Sequence, residues 1–395
     1  MRLPAFVVRM AATAAAIALL APAGAPAADL PPLKIGVIMS YTGPTPNAGR
    51  EFDGGSGAFL KEYGDTFAGR KVVLIKRDDG GPNPDVARRL AQELIVQDKV
   101  DILVGANWTP VAIALSQVST QAKMPYLIIN SATSNIIKDQ PYAARFAMTM
   151  AQLTGPLGRW LPRNGIRKVY MMVADFGPGI DSLNSFKPVF TDAGGSIAGE
   201  VRVPLNTTDF SAYLQRVIDA KPDALYVFLP TGDIAIAFIK AYQQMGLAKL
   251  GIRLVGTGDV VTEDTLEADG DTVLGMISAY HYSQAHDSNL NRRFVRDFTA
   301  SVKGLRPNLM AAASYDAMHA IYNAVNATKG DTSPEKLVAA IKGQRFESPR
   351  GTVYIDPNTR DIVQNVYLRK TEKVKGELQN TEFDRSAMVA DPNEK

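Results

Sequence analysis

The sequence predicts an α/β fold made of two tandem halves, each a mostly parallel sheet flanked by helices. Three observations carry this. Short β-branched runs alternate with stretches whose apolar residues recur every three or four positions, the pattern of strands joined by amphipathic helices. Such βαβ units bury a parallel sheet under helices on both faces. The series also stops near Arg145–Thr149 and then restarts, and at 395 residues the chain has room for two such units.

The first expected strand is Leu33–Met39, ended by the turn Thr42-Gly43-Pro44. Phe52, Phe59, Leu60 and Tyr63 give a helix over Gly49–Tyr63. Lys71–Lys76 is a second strand, and Asp78 to Pro84 is a loop of turn formers. A helix (Val86–Gln97), a strand (Asp101–Gly105), a helix (Val111–Lys123) and a strand (Pro125–Ile129) follow. After the crossing at Arg145–Thr149, strands Lys168–Ala174, Ser196–Val203, Ala224–Leu229 and Arg253–Gly256 alternate with helices Ile180–Ala193, Phe210–Asp219 and Ile234–Met245. Helices Ser288–Lys303, Leu309–Ala327 and Pro334–Lys342 and β runs Gly351–Ile355 and Ile362–Arg369 complete the folded part. Residues 371–395 are polar and are expected to form a loose tail.

At the other end, Arg2 and Arg9 lead into a short Ala-rich run, Met10–Ala23, closed by Ala25-Pro26-Ala27. This is the layout of a cleavable export signal over 1–27. No other segment approaches roughly 18 uninterrupted apolar residues, so the mature chain is expected to have no membrane span. A net charge of +3 is too small to point to nucleic acid. The absence of cysteine excludes disulfides, thiolate metal sites and cysteine nucleophiles. His281 and His286, five apart, specify no metal site. Gly177-Pro178-Gly179 lacks the third glycine of a dinucleotide loop, Gly54-Gly55-Ser56-Gly57 follows no strand, and there is no Gly-x-Ser-x-Gly elbow. Neither a cofactor nor a metal is expected, and no nucleophile–base pair suggests an enzyme.

In open parallel sheets ligands bind beyond the carboxyl ends of the strands. Here those positions are Ser40-Tyr41-Thr42, Ala106-Asn107-Trp108-Thr109 and Asn130-Ser131-Ala132-Thr133 in the first half. In the second they are Asp175-Phe176-Gly177-Pro178, Pro230-Thr231-Gly232 and Thr257-Gly258-Asp259. The first set is rich in hydroxyls near expected helix starts, where free N–H groups suit a carboxylate. The alternative is that Thr109, Ser131, Thr133 and Ser134 are only helix caps.

With these pieces in order, the chain resembles the Leu/Ile/Val-type periplasmic solute-binding proteins of ABC transporters from about Leu33 to Arg369. The resemblance is carried by Lys34-Ile35-Gly36-Val37 with Thr42-Gly43-Pro44, the Asp78-Asp79 strand end, and Val104-Gly105 followed by Thr109. Pro125–Thr133, Ala224-Leu225-Tyr226-Val227, Gly246-Leu247 and Ser314-Tyr315-Asp316-Ala317 continue it. It implies the two-lobed type I periplasmic binding fold with three hinge crossings, near Arg145–Met148, Ile277–Tyr280 and Thr352–Asp356. Lobe one would hold 30–146 plus 280–353, and lobe two 147–279 plus 354–370. It also implies a periplasmic location, a small carboxylate ligand, and delivery to the permease subunits of an importer. A sensor presenting its ligand to a signalling receptor is the alternative role.

The resemblance assigns the ligand carboxylate to the Thr109 hydroxyl, the Ala132 amide and the Thr133 hydroxyl, with Ser131 beside them. The family's acid for a ligand ammonium falls at Gly258, with Asp259 adjacent. Tyr41, Trp108, Phe176, Thr231 and His281 complete the expected site, with Tyr280 and Tyr282 as further aromatic walls. The altered ammonium end ranks an aromatic or other organic acid above an amino acid.

Overall fold

A computed structural model describes Met1 and residues 30–393; apart from Met1, the expected export signal lies outside the described residues. The first sheet is built by β1 (Leu33–Met39), β2 (Thr66–Phe67), β3 (Arg70–Asp78), β4 (Ile102–Gly105), β5 (Tyr126–Ile128) and β6 (Ala143–Arg145). Its order is β2-β3-β1-β4-β5-β6, parallel except for β2. Helices α1 (Asn47–Tyr63), α2 (Pro84–Val96) and α3 (Thr109–Ala122) make its crossovers. Buried runs such as Ile35, Val37, Ile38 and Met39 in β1 fit a sheet covered on both faces.

The chain then crosses into α4 (Met150–Arg163) and the second sheet. Its strands are β7 (Lys168–Ala174), β8 (Ser196–Val203), β9 (Ala224–Phe228), β10 (Arg253–Thr257) and β11 (Ile277–Tyr280), connected through α5 (Gly177–Asp192), α6 (Ser211–Ala220), α7 (Asp233–Gln244) and the short α8 (Leu266–Asp269). It returns through α9 (Asn289–Ser301) and α10 (Leu309–Ala327), which pack on α1, and then α11 (Pro334–Ile341). β12 (Arg345–Ser348), β13 (Gly351–Ile355), β14 (Ile362–Val374) and β15 (Glu377–Val389) end the described chain, giving the order β12-β13-β14-β11-β10-β9-β7-β8 with β15 on β14. Among the described residues no helix is long and apolar enough to cross a membrane.

Two expectations need correction. The loose tail expected over 371–395 is not found in its described part: β14 continues to Val374 and β15 pairs antiparallel with it along its length. The segment is polar because its outer face meets solvent, while Thr371, Leu378 and Asn380 are buried. Helix α4 was absent from the sequence reading, because Gly155, Pro156, Gly158 and Pro162 break the usual helical signal. It is started by a capping box between Thr149 and Gln152. It is held by burial against α5, and the Gln152 amide donates to the carbonyls of Ile362 and Val389.

Asn380 ties the terminal hairpin to the second sheet. Its amide donates to Val261 O at 2.7 Å and Glu263 Oε1 at 3.1 Å, and its oxygen accepts from Thr371 Oγ1 at 2.9 Å. Asn380→Ala should cost about 1–3 kcal/mol through the buried partners it strands. Urea unfolding measures this; an unchanged midpoint would mean that the hairpin adds little to the fold.

Candidate functional site

Strand register decides where the loops meet. In the first sheet Ile38, Gly105, Ile128 and Arg145 lie side by side, so β1, β4, β5 and β6 all release their loops at one edge. In the second, Met172, Val227, Gly256 and Ser278 form the equivalent row. The two edges face each other closely. A Cβ on Gly177 would stand 2.5 Å from Thr133 Oγ1, and one on Gly232 would stand 2.8 Å from the Pro44 carbonyl. Between them lies a cavity of about 410 Å³, its mouth included. Thr45, Asn107, Trp108, Thr109, Asn130, Ser131, Ala132 and Met148 line it on one side. Phe176, Pro178, Phe228, Pro230, Thr231 and Asp259 line it on the other.

The loop after β5 is organised by its carbonyls. Arg145 Nη1 donates to Ser131 O at 3.0 Å and Thr133 O at 2.6 Å, and the Met150 amide donates to Ala132 O at 3.0 Å. In a trans peptide the N–H points opposite to the C=O. Pulling these three oxygens backward therefore turns the amides of Ala132, Thr133 and Ser134 the other way. The Ser134 amide meets a carboxylate, Asp181 Oδ2 at 3.0 Å, from α5 across the cleft. Among the described residues no protein acceptor meets the amides of Ala132 and Thr133. This geometry has a cost: Ser131 has φ +137°, a region suited to glycine, at about 1–3 kcal/mol for another residue.

The neighbouring hydroxyls are not helix caps. The N-cap of α3 is Trp108, without a side-chain capping bond, and Thr109 Oγ1 lies 3.4 Å from Thr133 Oγ1. Ser131 Oγ and Trp108 Nε1 are buried with no partner among the described residues. Asn130 Nδ2 donates to Asn107 Oδ1, whose own amide donates to Thr45 Oγ1, so the polar wall is preorganised. On the facing side Phe176 and Phe228 stack with centroids 6.0 Å apart.

Asp259 is the carboxyl in this lining. It accepts from Thr257 Oγ1 at 2.7 Å and from the Tyr280 hydroxyl at 3.0 Å. Burial pushes its pKa up to about 6, against those hydrogen bonds and the nearby Arg369 guanidinium, which hold it down. Beneath it, a Cβ on Gly258 would lie 2.3 Å from Arg369 Nη2 and 2.4 Å from the Tyr280 ring. Position 258 therefore has no room for an acidic side chain.

Of the residues expected from sequence, Trp108, Thr109, Ser131, Ala132, Phe176, Thr231 and Asp259 come together in the lining, and Thr133 stands directly beside Thr109. Two do not join them. Tyr41 lies against Gly49, with its hydroxyl donating to Asp53 at 3.0 Å. His281 is fully buried behind the cleft, and burial together with Arg350 and Arg369 pushes its pKa well below the usual imidazole value. Sequence reasoning passed over Thr45, Met148 and Phe228, and it quoted Asn107 and Asn130 only as loop residues. The register rows supply the missing signal: Phe228 ends β9, and Met148 follows β6 by three residues.

A family model described as periplasmic binding protein matches residues 32–376. The chain belongs to the periplasmic binding protein family. Leu/Ile/Val-binding protein homolog 6 of Brucella melitensis is 38% identical to this periplasmic binding protein, over 97% of this chain and 98% of its own. A solute-binding protein of an ABC transporter from Rhodopseudomonas palustris BisB5, solved with 3,4-dihydroxybenzoic acid, is 44% identical over 92% of this chain and 99% of that one, with a TM-score of 0.89. Another from R. palustris, solved with 4-hydroxybenzoate, is 40% identical over 91% and 98%, with a TM-score of 0.88. The fold is thus the two-lobed type I periplasmic binding fold that the resemblance implied.

Asp259 should leave a pH signature in the periplasmic binding protein without ligand. Its folded pKa of about 6 lies above an unfolded value near 3.9, so its stability contribution falls as pH rises through that window. The lost stability, ~2–3 kcal/mol, persists at neutral pH. Asp259→Asn should therefore melt higher than the parent at pH 7.5 and close to it at pH 4. Thermal unfolding at both values checks this, and a gap independent of pH would contradict it.

Proposed function

We propose that this protein is the periplasmic receptor of an ABC importer for small aromatic carboxylates, hydroxybenzoates foremost. The observation that carries this reading is the polarity of the cleft. One wall offers the unpartnered Ala132 and Thr133 amides with the Thr109 and Ser131 hydroxyls. The other offers a single carboxyl, Asp259, already held by two hydroxyls. The ligand carboxylate sits on the first wall as charge-assisted hydrogen bonds. Its ring lies against Trp108, Phe176 and Phe228, and its ring hydroxyl donates to Asp259. Arg369, filling the space beneath Gly258, argues against an ammonium at this end. The 3,4-dihydroxybenzoic acid and 4-hydroxybenzoate bound by the 44% and 40% identical neighbours support the same class.

In this reading the lobes comprise 30–146 plus 280–353, and 147–279 plus 354–389. They close on the ligand about the crossings near 145–148, 277–280 and 352–356, and the closed form engages the permease subunits. Residues 1–27 direct export and are removed. The lining supports capture rather than turnover, since its hydroxyls face no imidazole or amine base.

Calorimetry on the mature protein tests the ligand class. Benzoate, 4-hydroxybenzoate and 3,4-dihydroxybenzoate should bind and raise the melting temperature by mass action. Leucine and phenylalanine should not. Thr109→Val should weaken every acid by about 1–3 kcal/mol. Asp259→Asn should weaken 4-hydroxybenzoate more than benzoate. Tighter binding of either amino acid than of the benzoates would overturn the reading.

A further inference from the structure

The loop that carries the carboxylate-facing amides is held in place by a residue that lies wholly behind it. We infer that Arg145, locked by Asp361, is a positioning residue: by holding the Ser131 and Thr133 carbonyls it keeps the loop in its glycine-like conformation so that the Ala132 amide faces the cleft, the Thr133 amide being turned by the Met150 N–H on the Ala132 carbonyl. This rests on the reading of that loop as the ligand's carboxylate site.

Arg145 ends β6, is fully buried, and lies at the first crossing between the sheets. Its Nε and Nη2 pair with both carboxylate oxygens of Asp361, at 2.5 and 2.9 Å. Asp361 stands one residue before β14, in the turn that joins it to β13. The fork geometry leaves Nη1 aimed at the loop, where it spans two carbonyls that are two residues apart. Each carbonyl it holds fixes the next amide on the opposite side of its peptide plane. Ser131 cannot reach this arrangement cheaply, since φ +137° is a region L-residues rarely adopt. The restraint therefore comes from outside the loop. The Arg145 amide also donates to Arg360 O at 3.1 Å, and Arg360 Nη2 donates to Ile137 O at 2.7 Å, so the turn before β14 grips the whole segment from below. A ligand-contacting loop is thereby tied to the first crossing and to the β13–β14 turn rather than to its own strand alone.

The test is glycine rescue. Asp361→Asn keeps the shape but loosens the fork, and should weaken 4-hydroxybenzoate at least tenfold. Ser131→Gly, which adopts the required φ without a brace but gives up the Ser131 hydroxyl, sets its own reference affinity, and adding Asp361→Asn to it should cost less than about threefold, against the tenfold loss in the parent. A role confined to general packing of the crossing would not be rescued from position 131. Arg145→Lys, which keeps the charge but cannot span Asp361 and two carbonyls, supplies a second background should Asp361→Asn fail to fold. Affinity within twofold of the parent in the braceless variant, or a loss on removing the brace that is as large in the Ser131→Gly background as in the parent, would overturn the inference. If the parent binds none of the benzoates, the ligand assignment falls and the brace is judged by thermal unfolding without ligand. Ser131→Gly should then shift the melting temperature by clearly different amounts with and without the brace, and equal shifts would overturn it.

Discussion

Where the chain passes between its two halves, and in the loops and edge strand beside those passages, backbone carbonyls lack a ladder partner, and a buried carbonyl without a donor is costly. Arginine meets this constraint because one planar group carries five donors. Arg145 serves Ser131 and Thr133, Arg350 serves Phe146, Arg360 serves Ile137 and Ala143, and Arg369 serves Tyr282. Arg145, Arg350 and Arg369 carry their charge into the interior beside a buried carboxylate: Asp361 for Arg145, Asp316 for Arg350, Glu263 for Arg369. Such pairs add little net stability against a hydrophobic alternative, but losing one partner is expensive. Their effect is to fix how the passages sit relative to one another.

The cleft inherits its geometry from that arrangement. Arg145 and the Met150 amide turn the loop after β5 toward the cavity, and Met150 begins the helix that starts the second half. Arg369 reaches from β14 under Gly258, lies 4.8 Å from the centre of the Tyr280 ring, and helps hold the Asp259 carboxyl down. Both ends of the site are thus supported from the passages, and the site's two unlike walls belong to two different sheets.

The candidate site was legible wherever a strand end could be read. Thr109, Ser131, Ala132, Phe176, Thr231 and Asp259 each follow a short apolar run closely, and the rule that loops gather at the carboxyl edge brings them together. Tyr41 satisfies the same rule and still points elsewhere, because its ring packs on Gly49 and Asp53 takes its hydroxyl. His281 follows β11, a strand flanked on both sides, and is fully buried outside the cleft lining, within the field of Arg350 and Arg369. Position along the chain gives the loop; packing gives the side chain's direction.

The sequence by itself determined the alternation of strands and helices, the restart after Arg145, and the loops that meet, because hydrophobic periodicity and turn residues act locally. Helix α4 and strand β15 were decided by tertiary structure. The first carries two prolines and two glycines and persists through burial and its Gln152 contacts. The second is a polar edge strand whose partner supplies its ladder. The conformation of Ser131 and the company of Asp259 belong to the same class. Arg145 sits 14 residues from Ser131, Asp361 another 216 beyond Arg145, and Arg369 is 110 residues past Asp259. Contacts across such distances leave no periodic trace in the chain; they exist only once the two sheets are brought edge to edge.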